Sequence, residues 1–431
     1  MNVPMIDLKD LRERPAAYQA ACDKKRISFS IEQFLALDAK VRDARSSFET
    51  VRAEQNSVNK EIAALKGEQK TERLSQIKQL ATAVKEREQA LKELETDWLQ
   101  QQLLIPSIPM DRVPVGKDDT QNVQLRTWGE PRNFSFSPKD HAEIGKLCDI
   151  LDIERGVKIA GARNYFLKGD GTRLQHAVLQ FALDKLHAKG YCVMDVPHLV
   201  SYKAMMGTSY FPGGEDAAYQ LDPRDPDSFL IGTAEVSVTS YHADEIFALA
   251  DLPKRYAGYS PCYRREAGTY GKDTQGVYRV HQFYKVEQVI VCLASADESA
   301  RFHAEILGNA EELLQELELA YRVVDVCTGD MGRGQVYKND LETWMPSRQG
   351  YGETHSCSTF YDFQARRLNM RYKDASGKNL FCHTLNNTCA ASPRLLIPLL
   401  ETHQQEDGSV RIPKVLQRYM NGQEVISVKR R

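Results

Sequence analysis

Between residues 31 and 105 the chain contains no proline and a single glycine, Gly67, and this stretch limits its fold more than any other. Apolar residues recur there at alternating steps of three and four. One series runs Phe34, Leu37, Val41, Ala44, Phe48, Val51, Val58, Ile62 and Leu65. A second runs Ile77, Leu80, Val84, Leu91, Leu94, Trp98 and Ile105. Such spacing draws one apolar seam along a helix, in the a and d positions that pack on a partner helix. Gln55, Arg87 and Gln101 interrupt the seam. With Gly67 between the two series, the segment reads as an antiparallel helical hairpin with its tip near that residue. A dimerisation coiled coil or one long helix is compatible with the same spacing. At 1.5 Å per residue each arm would be roughly 50 Å long, so the tip is expected to project beyond the body. Lys60, Lys66, Lys70, Arg73 and Lys78 fall on outward positions with acidic residues between them. They and the tail Lys429-Arg430-Arg431 are candidates for phosphate contact, set against the plainer reading of a solvated face.

Pro106, Pro109 and Pro114 end the second helix, since proline cannot continue the hydrogen-bond ladder. Residues 111–138 read as a Gly/Pro/Asp-rich linker. An N-terminal domain is therefore expected over 1–110, with its arm at about 31–105, and a main domain over 139–431. In the main domain, helical stretches (171–189, 296–319) alternate irregularly with β-branched and aromatic ones (277–293, 321–327, 368–373). The lack of a regular β-α-β rhythm predicts an α+β body on an antiparallel sheet rather than a doubly wound parallel one.

Composition removes several classes of function. No apolar run approaches the ~20 residues that span a bilayer, so no membrane is expected. The first residues lack a basic segment followed by an apolar one, which is not the pattern of a secretory signal. The nine cysteines are odd in number and never form a C-x-x-C pair. Reduced thiols and a cytoplasmic location are expected. Cys357, Cys382, His383 and Cys389 match no common zinc spacing and read as structural. The net charge is -2, so any nucleic-acid contact must come from local basic patches.

Four constellations carry chemistry. Arg264-Arg265-Glu266, a polar loop, and Arg279-Val280-His281-Gln282-Phe283-Tyr284-Lys285-Val286-Glu287 read as strand, loop, strand. By alternation, Arg264 and Glu266 share one face, and Arg279, His281, Phe283, Lys285 and Glu287 share one on the return strand. Cations, a flat ring and carboxylates together suit a nucleotide; a salt-bridged solvated hairpin is the simpler alternative. Asn386-Asn387-Thr388-Cys389 leads through Ser392-Pro393 to Arg394, expected in the first turn of a helix. There it would oppose the macrodipole and so invite an anionic ligand. Plain N-capping by Ser392 with Pro393 at the first helical position explains the same run. Glu353-Thr354-His355-Ser356 and Thr233-Ala234-Glu235 each put a carboxylate beside a hydroxyl.

In this order the four resemble the seryl-tRNA synthetases, a family of class II aminoacyl-tRNA synthetases, over nearly the whole chain. Arg264-Arg265-Glu266 with Arg279 to Phe283 is similar to the family's second motif, and Arg394 to the arginine of its third. The run up to Asp195-Val196-Pro197 resembles the first motif, and Gly207-Thr208 to Tyr219 resembles a mobile loop. The long hairpin resembles the arm that grips the tRNA. The resemblance implies ATP-dependent activation of L-serine to seryl-adenylate and transfer to the terminal adenosine of tRNA(Ser), with a selenocysteine tRNA as a further acceptor that the family allows. It implies Mg²⁺ and a homodimer. It further implies an ATP site of Arg264, Arg265, Glu266, Arg279, Val280, Phe283, Glu353, Thr354, His355, Ser356 and Arg394. Phe283 and Arg394 would sandwich the adenine. Glu353 and Ser356 would hold the metal. The serine pocket would be Thr233, Ala234, Glu235, Arg264, Glu287, Asn386 and Thr388, with Arg264, Arg394 and Glu353 closest to the chemistry. Where many members have Gly-Ser-Gly, this chain has Asn387-Thr388-Cys389, which puts the pocket's size in question; Arg265 and His355 are also unusual. The alternatives are an amino-acid adenylating relative that loads a carrier protein, which would lack the arm, and a non-catalytic RNA-binding paralogue, which would lack the ligand residues.

Overall fold

The computed structural model describes residues 5–62, 68–267 and 276–429, without the side chains of 62 and 68–72. The expected tip at Gly67, together with Lys66, the side chain of Lys70, and Arg430 and Arg431, lies outside the described residues. The chain divides into two compact units, Met1–Ile108 and Pro109–Arg431.

The first unit consists of α1 (Leu8–Glu13), α2 (Pro15–Lys24), α3 (Ile31–Ile62) and α4 (Glu68–Gln102). Asp7 caps α1 by accepting from the backbone N–H of Lys9 and Asp10. Helices α3 and α4 pair antiparallel, so partners descend along one as they ascend along the other. Trp98 Nε1 donates to Asp38 (3.1 Å), Arg45 pairs with Glu95 (2.5 Å), and Arg73 pairs with Glu61 (3.2 Å). Arg87, which breaks the seam, swings out and donates to the Ser47 carbonyl at 3.3 Å. Phe34, Val41, Val51, Val58, Leu91 and Trp98 are buried along the seam. Ile105, expected within the second arm, lies beyond the end of α4 but is fully buried in the same core.

One polar knot ties three of these helices. Asp38 is 1% exposed and receives two hydrogen bonds from Arg12 (2.9 and 2.8 Å), one from Trp98 and one from Arg42. Burial would raise its carboxyl, but the Arg12 hydrogen bonds and charge, with Trp98 and Arg42, outweigh it and hold the group below the usual carboxylate range. A lowered value contributes stability above the unfolded carboxylate range and loses it as pH falls through the folded value. Asp38→Asn should therefore destabilise the helical unit by about 2 kcal/mol at pH 7. The difference in thermal midpoint from the parent should shrink below about pH 4. Melts followed by helical circular dichroism across that range would check both; an unchanged midpoint at pH 7 counts against the knot.

The second unit is built on an eight-stranded sheet. Its strands are β1 (Val123–Trp128), β2 (Cys192–Asp195), β3 (Lys254–Tyr263), β4 (Gln282–Cys292), β5 (Tyr321–Asp325), β6 (Tyr337–Met345), β7 (Gly350–Tyr361) and β8 (His383–Ser392). They lie in the order β1-β5-β6-β7-β8-β4-β3-β2, antiparallel throughout except for β2 beside β3. The α+β antiparallel architecture expected from the sequence is therefore the one observed. Residues 111–138 are not simply a linker, because they contribute edge strand β1, paired with β5.

The helices that matter for the site are α5 (Asp170–Ala188), α6 (Glu235–Ser240), α7 (Ala296–Glu316), α8 (Phe363–Arg367) and α9 (Leu396–His403). Apolar faces of α5, α7 and α9 pack on one side of the sheet, where Leu174, Phe181, Phe302, Ile306 and Leu399 meet Val286, Ile290 and Leu385 in one core. Alternation along β4 sends Val286, Gln288 and Ile290 into that layer and Phe283, Lys285 and Glu287 to the opposite face. Three local expectations change. Residues 277–281 form turns rather than strand, because β4 begins only at Gln282. Residues 368–370 lie outside the strand Arg371–Lys373. Arg394 stands in a turn before α9, not in its first turn, and Ser392 ends β8 and donates to Gln175 (2.9 Å) instead of capping a helix.

Candidate active site

The sheet face opposite the helices carries a cleft to which several elements each contribute a few residues. Strand β4 supplies Phe283, Lys285 and Glu287. The chain leaving β3 supplies Arg264 and Glu266, and the returning turn Tyr278, Arg279 and Val280. Glu353, Thr354 and Ser356 come from β7, and Asn386 and Thr388 from β8. Arg394 enters from the turn before α9, and Thr233 and Glu235 from the turn that opens α6. Tyr210 closes one side, and a Cβ on Gly232 would overlap its hydroxyl, so glycine is required for that approach.

Strict alternation cannot put both Glu353 and Ser356 in the cleft, since they are three residues apart. A bulge makes it possible: His355 pairs with Leu341 and Glu353 with Glu342, leaving Thr354 as the extra residue. A second bulge opposite Val286/Glu287 brings Thr388 and Ala391 to one face in the same way. The residues that flank Thr388 point into the helical layer. Asn387 donates to the Ile306 carbonyl (2.7 Å), and Cys389 is buried in the core. The departure from Gly-Ser-Gly at these two positions therefore leaves the cleft wall untouched. His355 lies on that side too, with Nε2 3.0 Å from the Cys389 carbonyl, and burial pushes its imidazole down to about 4.

Charge is divided between two ends. At one end Arg264, Arg279 and Arg394 converge. The Arg264 guanidinium lies 5.2 Å over the Phe283 ring and its Nε donates to the Gly232 carbonyl (3.1 Å). Arg279 pairs with Glu266 (3.5 Å). Arg394 donates to the Glu353 carbonyl (3.2 Å), stands 3.8 Å from the Glu353 carboxylate, and lies 4.4 Å over Tyr278. Burial opposes the charge on Glu353, but Arg394, Lys338, Arg264 and Arg279 hold it below the usual carboxylate range. At the other end Lys285 Nζ donates to Thr233 Oγ1 (2.6 Å) and pairs with the Glu287 carboxylate, while Thr388 Oγ1 donates to Glu287 (3.3 Å). Glu235 is pushed up to about 7 by burial and by the neighbouring Glu287. Three cations near flat rings suit the phosphates and base of a nucleotide, and the smaller polar end suits a compact molecule with an amine and a hydroxyl.

Glu353 and Ser356 offer oxygen donors toward the cationic end. Among the described residues there is no group of three or more His, Cys, Asp or Glu able to hold a metal ion. Two donors suit a hard divalent cation that takes its remaining ligands from phosphate and water, as Mg²⁺ does.

Most of the residues singled out in the sequence meet in this cleft: Thr233, Glu235, Arg264, Glu266, Arg279, Val280, Phe283, Glu287, Glu353, Thr354, Ser356, Asn386, Thr388 and Arg394. Four do not. Arg265 is exposed and its backbone N–H donates to the Ala217 carbonyl. Ala234 is buried in an apolar cluster with Val236 and Val238. His355 faces the helices. His281, expected beside Phe283, turns back so that its Nδ1 lies 2.9 Å from the Arg264 carbonyl. The resemblance puts Phe283 and Arg394 on either side of one base; in the structure Phe283 is covered by Arg264 and Arg394 rests on Tyr278. Lys285, expected on one face with Phe283 and Glu287, lines the cleft as well, and so do Tyr210, Tyr278 and Gln335, which the sequence does not single out.

Comparison with known proteins bears on the fold and the family. The profile of the class II tRNA synthetase core domain (G, H, P, S and T) matches residues 219–403. That of the seryl-tRNA synthetase N-terminal domain matches residues 5–109. A serine–tRNA ligase of Deinococcus radiodurans is 43% identical over 422 residues, covering 98% of this chain and 99% of its own. The crystal structure of a seryl-tRNA synthetase from Pyrococcus horikoshii complexed with ATP superimposes with a TM-score of 0.90 at 37% identity, covering 99% of this chain and 100% of that one. A cytoplasmic serine–tRNA ligase of Naegleria fowleri in complex with AMP gives 0.85 at 29% identity, covering 100% of this chain and 99% of that one.

Proposed function

The chain belongs to the seryl-tRNA synthetase family and acts as an ATP-dependent serine–tRNA ligase; on that premise we propose that the cleft is where both of its reactions occur. The observation that carries the reading is that Arg264, Phe283, Arg394 and Glu353 share one cleft with Glu235, Glu287 and Thr388. A carboxylate oxygen of serine attacks the α-phosphorus of ATP and pyrophosphate leaves. The seryl group of the adenylate then passes to a hydroxyl of the terminal adenosine of tRNA(Ser), releasing AMP. No side-chain nucleophile is required, so orientation and charge supply the rate.

Arg264 binds the α-phosphate and stabilises charge that develops there. Phe283, with Arg394 or Arg264 on its exposed face, holds the adenine, and Arg279 meets the outer phosphates. Glu353 and Ser356 would hold Mg²⁺, which when bound offsets phosphate charge. Thr233 and Glu287 orient the serine amine. Glu235, Asn386 and Thr388 receive the hydroxyl, and a polar pocket left unpaired by alanine discriminates against it. The antiparallel hairpin of the first unit supports contact with tRNA through shape and backbone rather than base reading. We read the working form as a homodimer in the cytoplasm. None of the described helices is long and apolar enough to cross a membrane.

ATP–pyrophosphate exchange tests the reading. Serine should drive exchange, with alanine and threonine at least about 100-fold weaker in kcat/KM. Equal exchange with alanine would sink the assignment of the polar pocket, and exchange with no charging of tRNA would favour a carrier-protein ligase.

A further inference from the structure

Gln364 lies on α8, outside the cleft lining, and is 1% exposed. Its amide nevertheless joins three separate parts of the unit. Nε2 donates to Glu235 Oε1 at 2.8 Å and to the Thr208 carbonyl at 3.3 Å, and Oε1 accepts from Thr384 Oγ1 at 2.6 Å. The orientation of the amide is forced. A backbone carbonyl can only accept, so the end facing Thr208, which also faces Glu235, must be the amino end. Both amide hydrogens are thus engaged, and the oxygen is held by a hydroxyl that is itself fully buried. The carbonyl it meets is fixed as well: Arg367, on the same short helix, donates to the carbonyls of Met206 (3.2 Å) and Phe211 (3.4 Å) on either side of Thr208.

We propose that Gln364 is a positioning residue for amino-acid selection: it grips one oxygen of Glu235 and leaves the other turned to the substrate hydroxyl, favouring serine over alanine. The proposal rests on the reading that places the serine hydroxyl at Glu235. The charged groups facing Glu235 are Glu287 and Lys285 from β4 and Arg264 from the end of β3. Burial and Glu287 work against its ionised form, while Gln364, Lys285 and Arg264 work for it. A neutral carboxyl could donate to the wrong partner, whereas an ionised one can only accept. The fixed amide donor selects the accepting form and fixes its direction.

The test uses the full chain with Gln364→Leu and Gln364→Glu, in exchange assays with serine and with alanine between pH 6 and 8.5. Gln364→Leu should raise the serine KM about tenfold, the loss of roughly one hydrogen bond to a charged group. The ATP KM and kcat should stay close to the parent's while the thermal midpoint falls, since leucine leaves the buried Thr384 hydroxyl and Thr208 carbonyl unpaired, and the serine-to-alanine ratio should narrow. The acid limb of kcat/KM for serine should move to higher pH, because the ionised form has lost a donor. Gln364→Glu should be most impaired at high pH and recover toward neutrality, where one proton is shared between the facing carboxyls. A serine KM and serine-to-alanine ratio unchanged in Gln364→Leu would overturn the proposal. So would parallel increases in the serine and ATP KM, which would mark a merely structural role. Arg264→Ala serves as the control: normal exchange there would refute the cleft itself, whereas its loss beside a silent Gln364→Leu would refute only the role of Gln364.

Discussion

Arg264→Ala should lower serine-dependent ATP–pyrophosphate exchange by at least about 100-fold, mainly in kcat, while the protein stays folded. The guanidinium stands at the junction of the cleft's two ends, over Phe283 and beside the loop that carries Thr233 and Glu235. No neighbour can take its place. Arg279 is paired with Glu266, and Arg394 is hydrogen-bonded to the Glu353 backbone. The structural cost is small, because among the described residues the side chain makes one hydrogen bond, to the Gly232 carbonyl, and one ring contact. Arg264→Lys should recover little: an ammonium keeps the charge but neither the planar stacking nor the fork of donors. Near-normal exchange by Arg264→Ala would mean that the α-phosphate lies elsewhere.

The second large effect concerns the hairpin. Removing residues 48–86 and joining the helices with a short glycine-rich turn should leave ATP–pyrophosphate exchange unchanged. Charging of tRNA should fall by at least about 100-fold in kcat/KM for tRNA, since a sizeable part of a backbone-tracking contact is lost. The cut spares the base of the hairpin, where Asp38, Arg12 and Trp98 are bound together and where Phe34, Val41, Leu91 and Ile105 form the core. It also leaves the second unit intact, which carries every described residue of the cleft. Exchange and charging falling together would show that the arm supports the catalytic fold. Charging retained at low tRNA concentration would show that the arm does not hold tRNA.

Legibility differed sharply between the two units. In the arm, a three-four alternation was enough, because a helix fixes the direction of every side chain from local geometry alone. The choice of hairpin over dimer was not contained in that pattern; it is carried by cross-helix pairs such as Arg45 with Glu95 and Arg73 with Glu61. In the cleft, the order and chemistry of Arg264, Phe283, Glu353 and Arg394 were visible, but parity counting misassigned their neighbours. His281 failed because residues 277–281 are turns, where alternation does not apply.

The sequence by itself determined the helical arm, the antiparallel α+β body and the residue types of the nucleotide and amino-acid sites, since periodicity and motif spacing are local properties. Only the tertiary structure decided which side chains face the cleft. One extra residue in β7 shifts its phase so that Glu353 joins Ser356 in the cleft, and one in β8 lets Ala391 share the face of Thr388, while His355, Asn387 and Cys389 turn to the helices. Bulges of this kind depend on the register with a neighbouring strand. Contacts such as Gln364 with Glu235, separated by 129 residues, exist only once the sheet has brought distant segments together.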